Sequence, residues 1–93
     1  MTDPAYVTDN PDRSRFELDV SGQIVFANYR RQGETVIITH VEAPVALRGT
    51  GASGRLMEGI ARMLQARNEK VVPLCSYAAA WLKRKPEYAG LLT

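Results

Sequence analysis

One glycine-rich segment of the chain is well suited to hold an anion. It follows a run of β-branched residues, leads into an amphipathic helix, and has the sequence Arg48-Gly49-Thr50-Gly51-Ala52-Ser53-Gly54. Glycines let the backbone turn sharply and bring several N–H groups to one point. The helix that follows adds its own unpaired N–H groups and the positive end of its dipole. The segment therefore predicts a seat for a phosphate or pyrophosphate.

Two common phosphate-binding motifs do not explain this segment. A dinucleotide-binding fold requires an acidic residue about 20 positions after its glycines, at the end of the next strand. Glu69 lies near that distance, but it precedes the next predicted strand, and a single crossover cannot build that fold. A P-loop requires Gly-Lys-Ser or Gly-Lys-Thr, which the sequence does not contain.

The chain contains a single cysteine, Cys75, and a single histidine, His40. An imidazole is a base near neutral pH, so it can deprotonate an ammonium group or a thiol. The same two residues can also be a small buried apolar side chain and a hydrogen-bonded histidine on a sheet face. One cysteine excludes an intramolecular disulfide and the zinc patterns built from two or four cysteines, and we predict no metal site.

The composition is typical of a soluble globular domain. The chain has 93 residues, enough for one domain with a modest core, and 45% of them are hydrophobic and 24% charged. A formal net charge of +2 is too weak to indicate a nucleic-acid partner. No stretch approaches the roughly 20 apolar residues that span a bilayer, and the first residues do not resemble a leader. We therefore expect a cytoplasmic protein without a nucleic-acid or membrane partner.

The first half of the chain predicts an antiparallel meander. Residues 1–13 are mostly small and polar and predict a flexible N-terminal arm, which leaves residues 14–93 as a single domain. Segments with the period of a strand follow, joined by turns at Ser21-Gly22 and Gln32-Gly33. These segments are 15–20, 23–30 and 34–42. The third is apolar at both odd and even positions, so we expect it to be covered on both faces.

The second half predicts a βαβ unit and a closing helix. The apolar period becomes that of a helix from Gly51 or Ala52 to about Arg67. A fourth strand over 71–74 should lie parallel to the third, because a strand, a helix and a strand in sequence form a right-handed crossover. The remaining elements are a helix from about Tyr77, ended by Pro86, and a last helical turn through Leu92.

This order of elements resembles the acetyl-CoA-binding core of the GNAT superfamily of N-acetyltransferases. The superfamily pattern is Gln/Arg-x-x-Gly-x-Gly/Ala. Arg48 and Gly51 fill its first and fourth positions, and Ser53 stands at the sixth, where glycine or alanine is expected. The resemblance implies an α/β (α+β) fold in which a three-strand meander is followed by a βαβ unit with splayed strands and a C-terminal helix.

A narrower resemblance, to the small single-domain YjdJ-type subgroup, covers nearly the whole chain from Phe16 onward. One departure is Ser76, where the subgroup often has proline after the cysteine. The matching segments are Ile38-Thr39-His40-Val41-Glu42, Leu47-Arg48-Gly49-Thr50-Gly51, Val71-Val72-Pro73-Leu74-Cys75 and Pro86-Glu87-Tyr88-Ala89.

The resemblance implies that the third and fourth strands separate and that acetyl-CoA lies in the gap. The pantetheine arm would pair with strand backbone, and the pyrophosphate would rest on the amides of the glycine-rich segment. Arg48 would either meet the pyrophosphate or bond to its own loop. The cofactor-binding residues so implied are Val41, Glu42, Arg48, Gly49, Thr50, Gly51, Ala52, Ser53 and Gly54.

The resemblance also implies the chemistry. Cys75 and His40 would form a candidate catalytic pair, and Tyr77 would supply a proton to the leaving thiolate. The implied reaction moves an acetyl group from acetyl-CoA to a primary amine, directly by the usual superfamily route or through an acetylated Cys75. A CoA-binding or protein-interaction module without turnover is the competing hypothesis. Neither the acceptor nor the oligomeric state is indicated.

Overall fold

Residues 7–93 are described by a computed structural model of the chain, in which helices pack on one face of a five-stranded sheet. Its elements are β1 (Thr8–Asn10), β2 (Arg15–Val20), β3 (Gln23–Gln32), β4 (Thr35–Glu42), α1 (Ala52–Arg67), β5 (Lys70–Pro73) and α2 (Ser76–Lys83). Short 3-10 segments lie at Pro11–Arg13, Val45–Leu47 and Pro86–Leu91. The strands follow the order β1-β2-β3-β4-β5, antiparallel except for the parallel pair β4–β5. The predicted α+β class, meander and parallel final strand are confirmed.

The hydrophobic core lies between the sheet and helix α1, where the periodicity of both elements puts it. Phe16 and Leu18 of β2 are buried and pair with Ala27 and Val25 of β3, which are also buried. The predicted apolar stripe of α1 supplies the opposite side of the core, with Leu56, Met57, Ile60, Ala61 and Leu64 all buried. Each large side chain in such a core contributes about 1.5–3 kcal/mol, which fixes α1 across the sheet. Within residues 7–93, no helix is long and apolar enough to cross a membrane.

Strand β4 is covered on one face only, so the prediction that both faces are covered is wrong. Val36 and Ile38 are fully buried, whereas Ile37 is half-buried on the outer face between Arg30 and Val72. Both helices contribute to the single core, so the outer face of β4 is shielded only by neighbouring side chains. A β-branched run therefore fits a strand with one half-exposed face as well as a fully covered one.

A register shift in β4 changes which of its side chains face the core. Consecutive residues of β3 pair with Ile38 and His40, so Thr39 is an extra residue in β4. Strict alternation from Ile38 would turn His40 toward the core. The shift instead brings Val41 opposite the buried Ala27 and leaves His40 on the outer face of the sheet.

The predicted N-terminal arm is corrected by the structure wherever the structure describes it. Residues 8–10 form β1, which pairs with β2, while residues 1–6 of the arm lie outside the described residues. The Asp9 carboxylate accepts a hydrogen bond from the Tyr29 hydroxyl at 2.5 Å and one from Arg67 at 2.9 Å. Partners 20 and 58 residues away hold this segment in place, and a short polar strand carries no periodic signal of them.

Candidate functional site

Strands β4 and β5 separate after four paired residues, and this separation opens the candidate site. Their ladder runs from Thr35 and Lys70 to Ile38 and Pro73. Leu74 and Cys75 follow β5. Their backbone amides both donate hydrogen bonds to the Ile38 carbonyl, at 2.9 and 3.3 Å. The chain then turns into α2, while β4 continues to Glu42 paired with β3 alone. Among the described residues, the backbone of β4 beyond Ile38 therefore has an unpaired edge beside the start of α2.

The glycine-rich segment borders this opening and forms a pocket of about 250 Å³. Gly49 and Gly51 have φ angles of +80° and +84°, in the left-handed region that side-chain-bearing residues avoid. These two glycines allow the tight turn that presents the start of α1 to solvent. The pocket is lined by Leu47, Arg48, Gly49, Gly51, Ala52, Ser53, Gly54 and Tyr77.

The first turn of α1 carries amide groups available to an anion. Gly51 is the N-cap residue and supplies no side-chain acceptor, while the Ala52 amide donates to the Thr50 hydroxyl oxygen at 3.3 Å. The amides of Ser53 and Gly54 donate to no acceptor within residues 7–93. These two donors, together with the positive end of the helix dipole, are the physical basis of a phosphate seat.

Arg48 is bound to its own surroundings. Its Nε donates to the Ala43 carbonyl at 3.3 Å, and its Nη2 lies 3.9 Å from Oε2 of Glu42. The side chain is 62% exposed, so these contacts leave the guanidinium accessible from solvent. Of the two roles left open for Arg48, the bond to the loop is present, and the contact with a pyrophosphate stays a prediction.

Arg55 is a residue of this region that the sequence analysis did not single out. Its Nε is buried and has no hydrogen-bond partner within residues 7–93. A buried donor without a partner costs free energy, so it is often satisfied by a ligand or water. Arg55 lies in the first turn of α1, four residues after Gly51, and its position directly behind the glycines is the signal that could have identified it.

His40 is paired with Glu42 and not with Cys75. The His40 Nε2 lies 2.7 Å from Oε1 of Glu42, and the two side chains are 55% and 45% exposed. Cys75 is the N-cap residue of α2, and its partly buried side chain packs against the core. Within residues 7–93, no hydrogen bond joins the Cys75 thiol to His40, and no group of three or more His, Cys, Asp or Glu side chains could hold a metal ion. The catalytic pair stays a prediction.

Tyr77 lies against the glycine-rich segment, at the entrance of the opening. Its hydroxyl is 3.9 Å from the point that a Cβ atom would occupy on Gly54, and its side chain lines the same pocket. Burial raises the pKa of the phenol; the charge of Arg84 opposes the rise and that of Cys75 adds to it. Tyr77 is therefore protonated at neutral pH and can act as a proton donor.

A larger pocket, of about 350 Å³, lies at the opposite end of α1, between its C-terminus and the last 3-10 segment. It lies far from the glycine-rich turn, and it is lined by both signs of charge, from Glu69, Lys70 and Glu87. The Lys70 Nζ donates to the Gly90 carbonyl at 2.6 Å and is therefore already engaged. The smaller pocket is the better anion site, because its unpaired amides and helix dipole converge there.

Comparison with known proteins agrees with this architecture. A sequence model of the family described as GCN5-related N-acetyl-transferase matches residues 15–91, and the chain belongs to this family. The fold is similar to the NMR solution structure of a GCN5-like protein from Staphylococcus aureus, with a TM-score of 0.67. That match has 16% identity and covers 99% of this chain and 91% of the other, so it shows the fold alone. Family and fold together confirm the prediction of a GNAT-type acetyltransferase.

Proposed function

We propose that the protein transfers an acetyl group from acetyl-CoA to a primary amine in the cytoplasm. The observation that carries this proposal is the separation of β4 from β5 beside a glycine turn with unpaired amides at Ser53 and Gly54. An unpaired strand edge suits an amide-bearing arm, because such an arm can add to the strand by backbone hydrogen bonds. The neighbouring helix N-terminus suits a pyrophosphate. The residues present therefore fit the cosubstrate.

The proposal assigns the cosubstrate contacts to two parts of the chain. The backbone of Val41 and Glu42 would bind the pantetheine arm, since no strand of residues 7–93 pairs with the open side of β4 there. The amides from Gly49 to Gly54 would bind the pyrophosphate. Arg48 and the unsatisfied Arg55 Nε would add positive charge at the same end of α1.

The proposed reaction needs a base and an acid. Bound acetyl-CoA supplies a thioester whose C–S bond breaks as the new N–C bond forms. His40 would accept a proton from the acceptor ammonium, which gives the amine the free electron pair it needs to react. Tyr77 would return a proton to the departing sulfur, because its raised pKa keeps it protonated. Cys75 would stay near the reacting centre without forming a bond to the acetyl group, in line with direct transfer.

The competing hypothesis is a CoA-binding or interaction module without turnover. Val45 and Leu74 are 76% and 61% exposed; Leu74 follows β5 directly, and Val45 lies three residues after the end of β4. These exposed apolar side chains would be available to an acceptor or to an interaction partner. A screen of primary amines, monitored by release of free CoA thiol, distinguishes the two hypotheses, since a module without turnover releases none.

Binding is tested by heat stability in the presence of acetyl-CoA. A ligand at about 100 times its dissociation constant stabilises the folded state by roughly 2.7 kcal/mol. The expected result is a saturable rise in Tm with acetyl-CoA. An unchanged Tm at millimolar acetyl-CoA would overturn the proposal.

A further inference from the structure

We infer that Glu42 is a positioning residue that fixes the tautomer of His40, so that Nδ1 is the ring nitrogen that accepts the acceptor's proton. The inference rests on the proposed role of His40 as the base. It also adds a side-chain role to Glu42, whose proposed contact with the cosubstrate involves only the backbone.

The tautomer follows from the contact between the two side chains. Oε1 of Glu42 lies 2.7 Å from Nε2 of His40, which is the distance of a charge-assisted hydrogen bond. A glutamate carboxylate can only accept hydrogen bonds, so Nε2 must carry the hydrogen. In a neutral imidazole the other nitrogen, Nδ1, then holds the free electron pair. The carboxylate also stabilises the positive ring that forms once Nδ1 has taken up a proton.

The strand geometry makes this contact specific to Glu42. Residues two apart on a strand share a face, and the register shift at Thr39 puts His40 and Glu42 together on the outer face of the sheet. Glu17, the other carboxylate in the same cross-strand row, is already held by Arg15 at 2.6 Å. Glu42 is thus the carboxylate available to the histidine.

Glu42 has a second, longer contact at its other oxygen. Oε2 lies 3.9 Å from Nη2 of Arg48, whose Nε donates to the Ala43 carbonyl. The carboxylate thus lies between the proposed base and the arginine of the glycine-rich segment. The 2.7 Å hydrogen bond to His40 is the closer of the two contacts of this carboxylate.

The effect of Glu42 is separable from folding. Both members of the pair are about half exposed, and exposed ion pairs contribute little to stability. The E42A variant should therefore fold, and its backbone contacts with the cosubstrate should remain. E34Q is the control, because Glu34 is an exposed residue of the turn between β3 and β4 whose carboxylate forms no hydrogen bond or salt bridge within residues 7–93.

The experiment is ¹⁵N NMR of the imidazole ring at a pH where the ring is neutral, combined with steady-state kinetics. His40 is the only histidine in the sequence, so its ring signals need no assignment. We expect protonation at Nε2 in the wild type and in E34Q, and a mixture of the two tautomers in E42A. We further expect E42A to lose about 10- to 100-fold in kcat at saturating acetyl-CoA, part of what a general base supplies, so that the loss does not depend on any change in cosubstrate binding through Arg48.

The inference is overturned if the wild-type ring is protonated at Nδ1, or if E42A has the same tautomer and the same kcat as the wild type. Failure of the proposed function has a different signature. If H40A retains full transfer rates, the assignment of His40 as the base is wrong. If the wild type transfers no acetyl group, the proposed activity is wrong. In both cases the NMR spectra of the wild type and E42A would still differ as expected.

Discussion

Ile38 and Pro73 are the last residues that pair across β4 and β5, and the pairing stops there although β4 continues for four more residues. The amides of Leu74 and Cys75 converge on the Ile38 carbonyl, which turns the chain away from the sheet. This arrangement leaves one edge of β4 open beside the glycine-rich turn. The proposed cosubstrate site depends on it, because the pantetheine arm would pair with this edge while the pyrophosphate binds at the start of α1.

The glycine at the start of α1 can be tested against a matched glycine in a hairpin. Gly51 and Gly33 both have positive φ, +84° and +59°, and a Cβ atom on either meets open space. We expect G51A and G33A each to lower the free energy of unfolding by about 1–2 kcal/mol through backbone strain. Only G51A should also weaken acetyl-CoA binding, measured by calorimetry. Equal affinities in the two variants would remove Gly51 from the phosphate seat.

Tyr77 is tested by removing its hydroxyl. Y77F should lower kcat by roughly 100-fold if the phenol is the general acid, with little change in stability because the side chain is 38% exposed. Burial raises the pKa of Tyr77 above the ordinary value of 10.0, so the donor keeps its proton as the pH rises through neutrality. The wild-type rate should then fall on the alkaline side only above pH 10, and Y77F should lack that fall. A wild-type rate in Y77F would exclude this role.

Cys75 separates direct transfer from an acetylated intermediate. Direct transfer predicts that intact-mass analysis after mixing with acetyl-CoA finds no acetyl group on the protein. It also predicts that C75A keeps most of its transfer rate, while H40A loses about 10²-fold or more. A mass increase of one acetyl group that disappears in C75A would contradict direct transfer and support the covalent route.

The contact of β1 with the rest of the fold gives a stability prediction at a distance from the site. Asp9 is only 13% exposed and accepts hydrogen bonds from Tyr29 and Arg67. We expect D9A to lower the free energy of unfolding by about 1–3 kcal/mol in a denaturant titration, because charged hydrogen bonds are lost. D12A, at an exposed position in the same segment, should change it by less than about 0.5 kcal/mol. Equal effects would mean that the Asp9 contacts do not hold β1.

Tyr29 is expected to contribute to the loss of stability at high pH. Burial raises the pKa of Tyr29, and its hydrogen bond to Asp9 and the charge of Asp9 add to the effect, against the opposing influence of Arg31. The folded state therefore holds the phenolic proton more tightly than the unfolded chain. Stability from this group is complete below about pH 10 and is lost as the pH rises through the higher folded pKa. The unfolding free energy of Y29F should decline less steeply there than that of the wild type, and an equal slope would contradict the assignment.

Local periodicity in the sequence predicted most of the elements. The stripe ending at Leu64 located α1, and the alternation from Arg15 to Val20 located β2, because each pattern is set by neighbouring residues and one buried face. The parallel pairing of β4 with β5 followed from the order of the elements. Tyr77 and the glycine-rich turn were predicted to contact different parts of acetyl-CoA, and the structure shows that both line the same pocket.

What the sequence could not predict depends on contacts between distant residues. Strand β1 is held by partners across the sheet and on α1, and nothing in its own polar sequence indicates them. Nothing in the sequence marks Thr39 as an extra residue of β4, yet it moves His40 to the outer face of the sheet and beside Glu42. The predicted partner of His40 was Cys75, because spacing alone cannot show on which face of a sheet a side chain lies after a bulge.

The most direct test of the opening between β4 and β5 is an NMR titration of the backbone amides with CoA. We predict saturable shifts of the Ser53 and Gly54 amides, together with those from Thr39 to Glu42, while the amides of Lys70 and Gly90 at the far pocket stay unchanged. Shifts confined to that far pocket, or none at millimolar CoA, would contradict the site described for this protein.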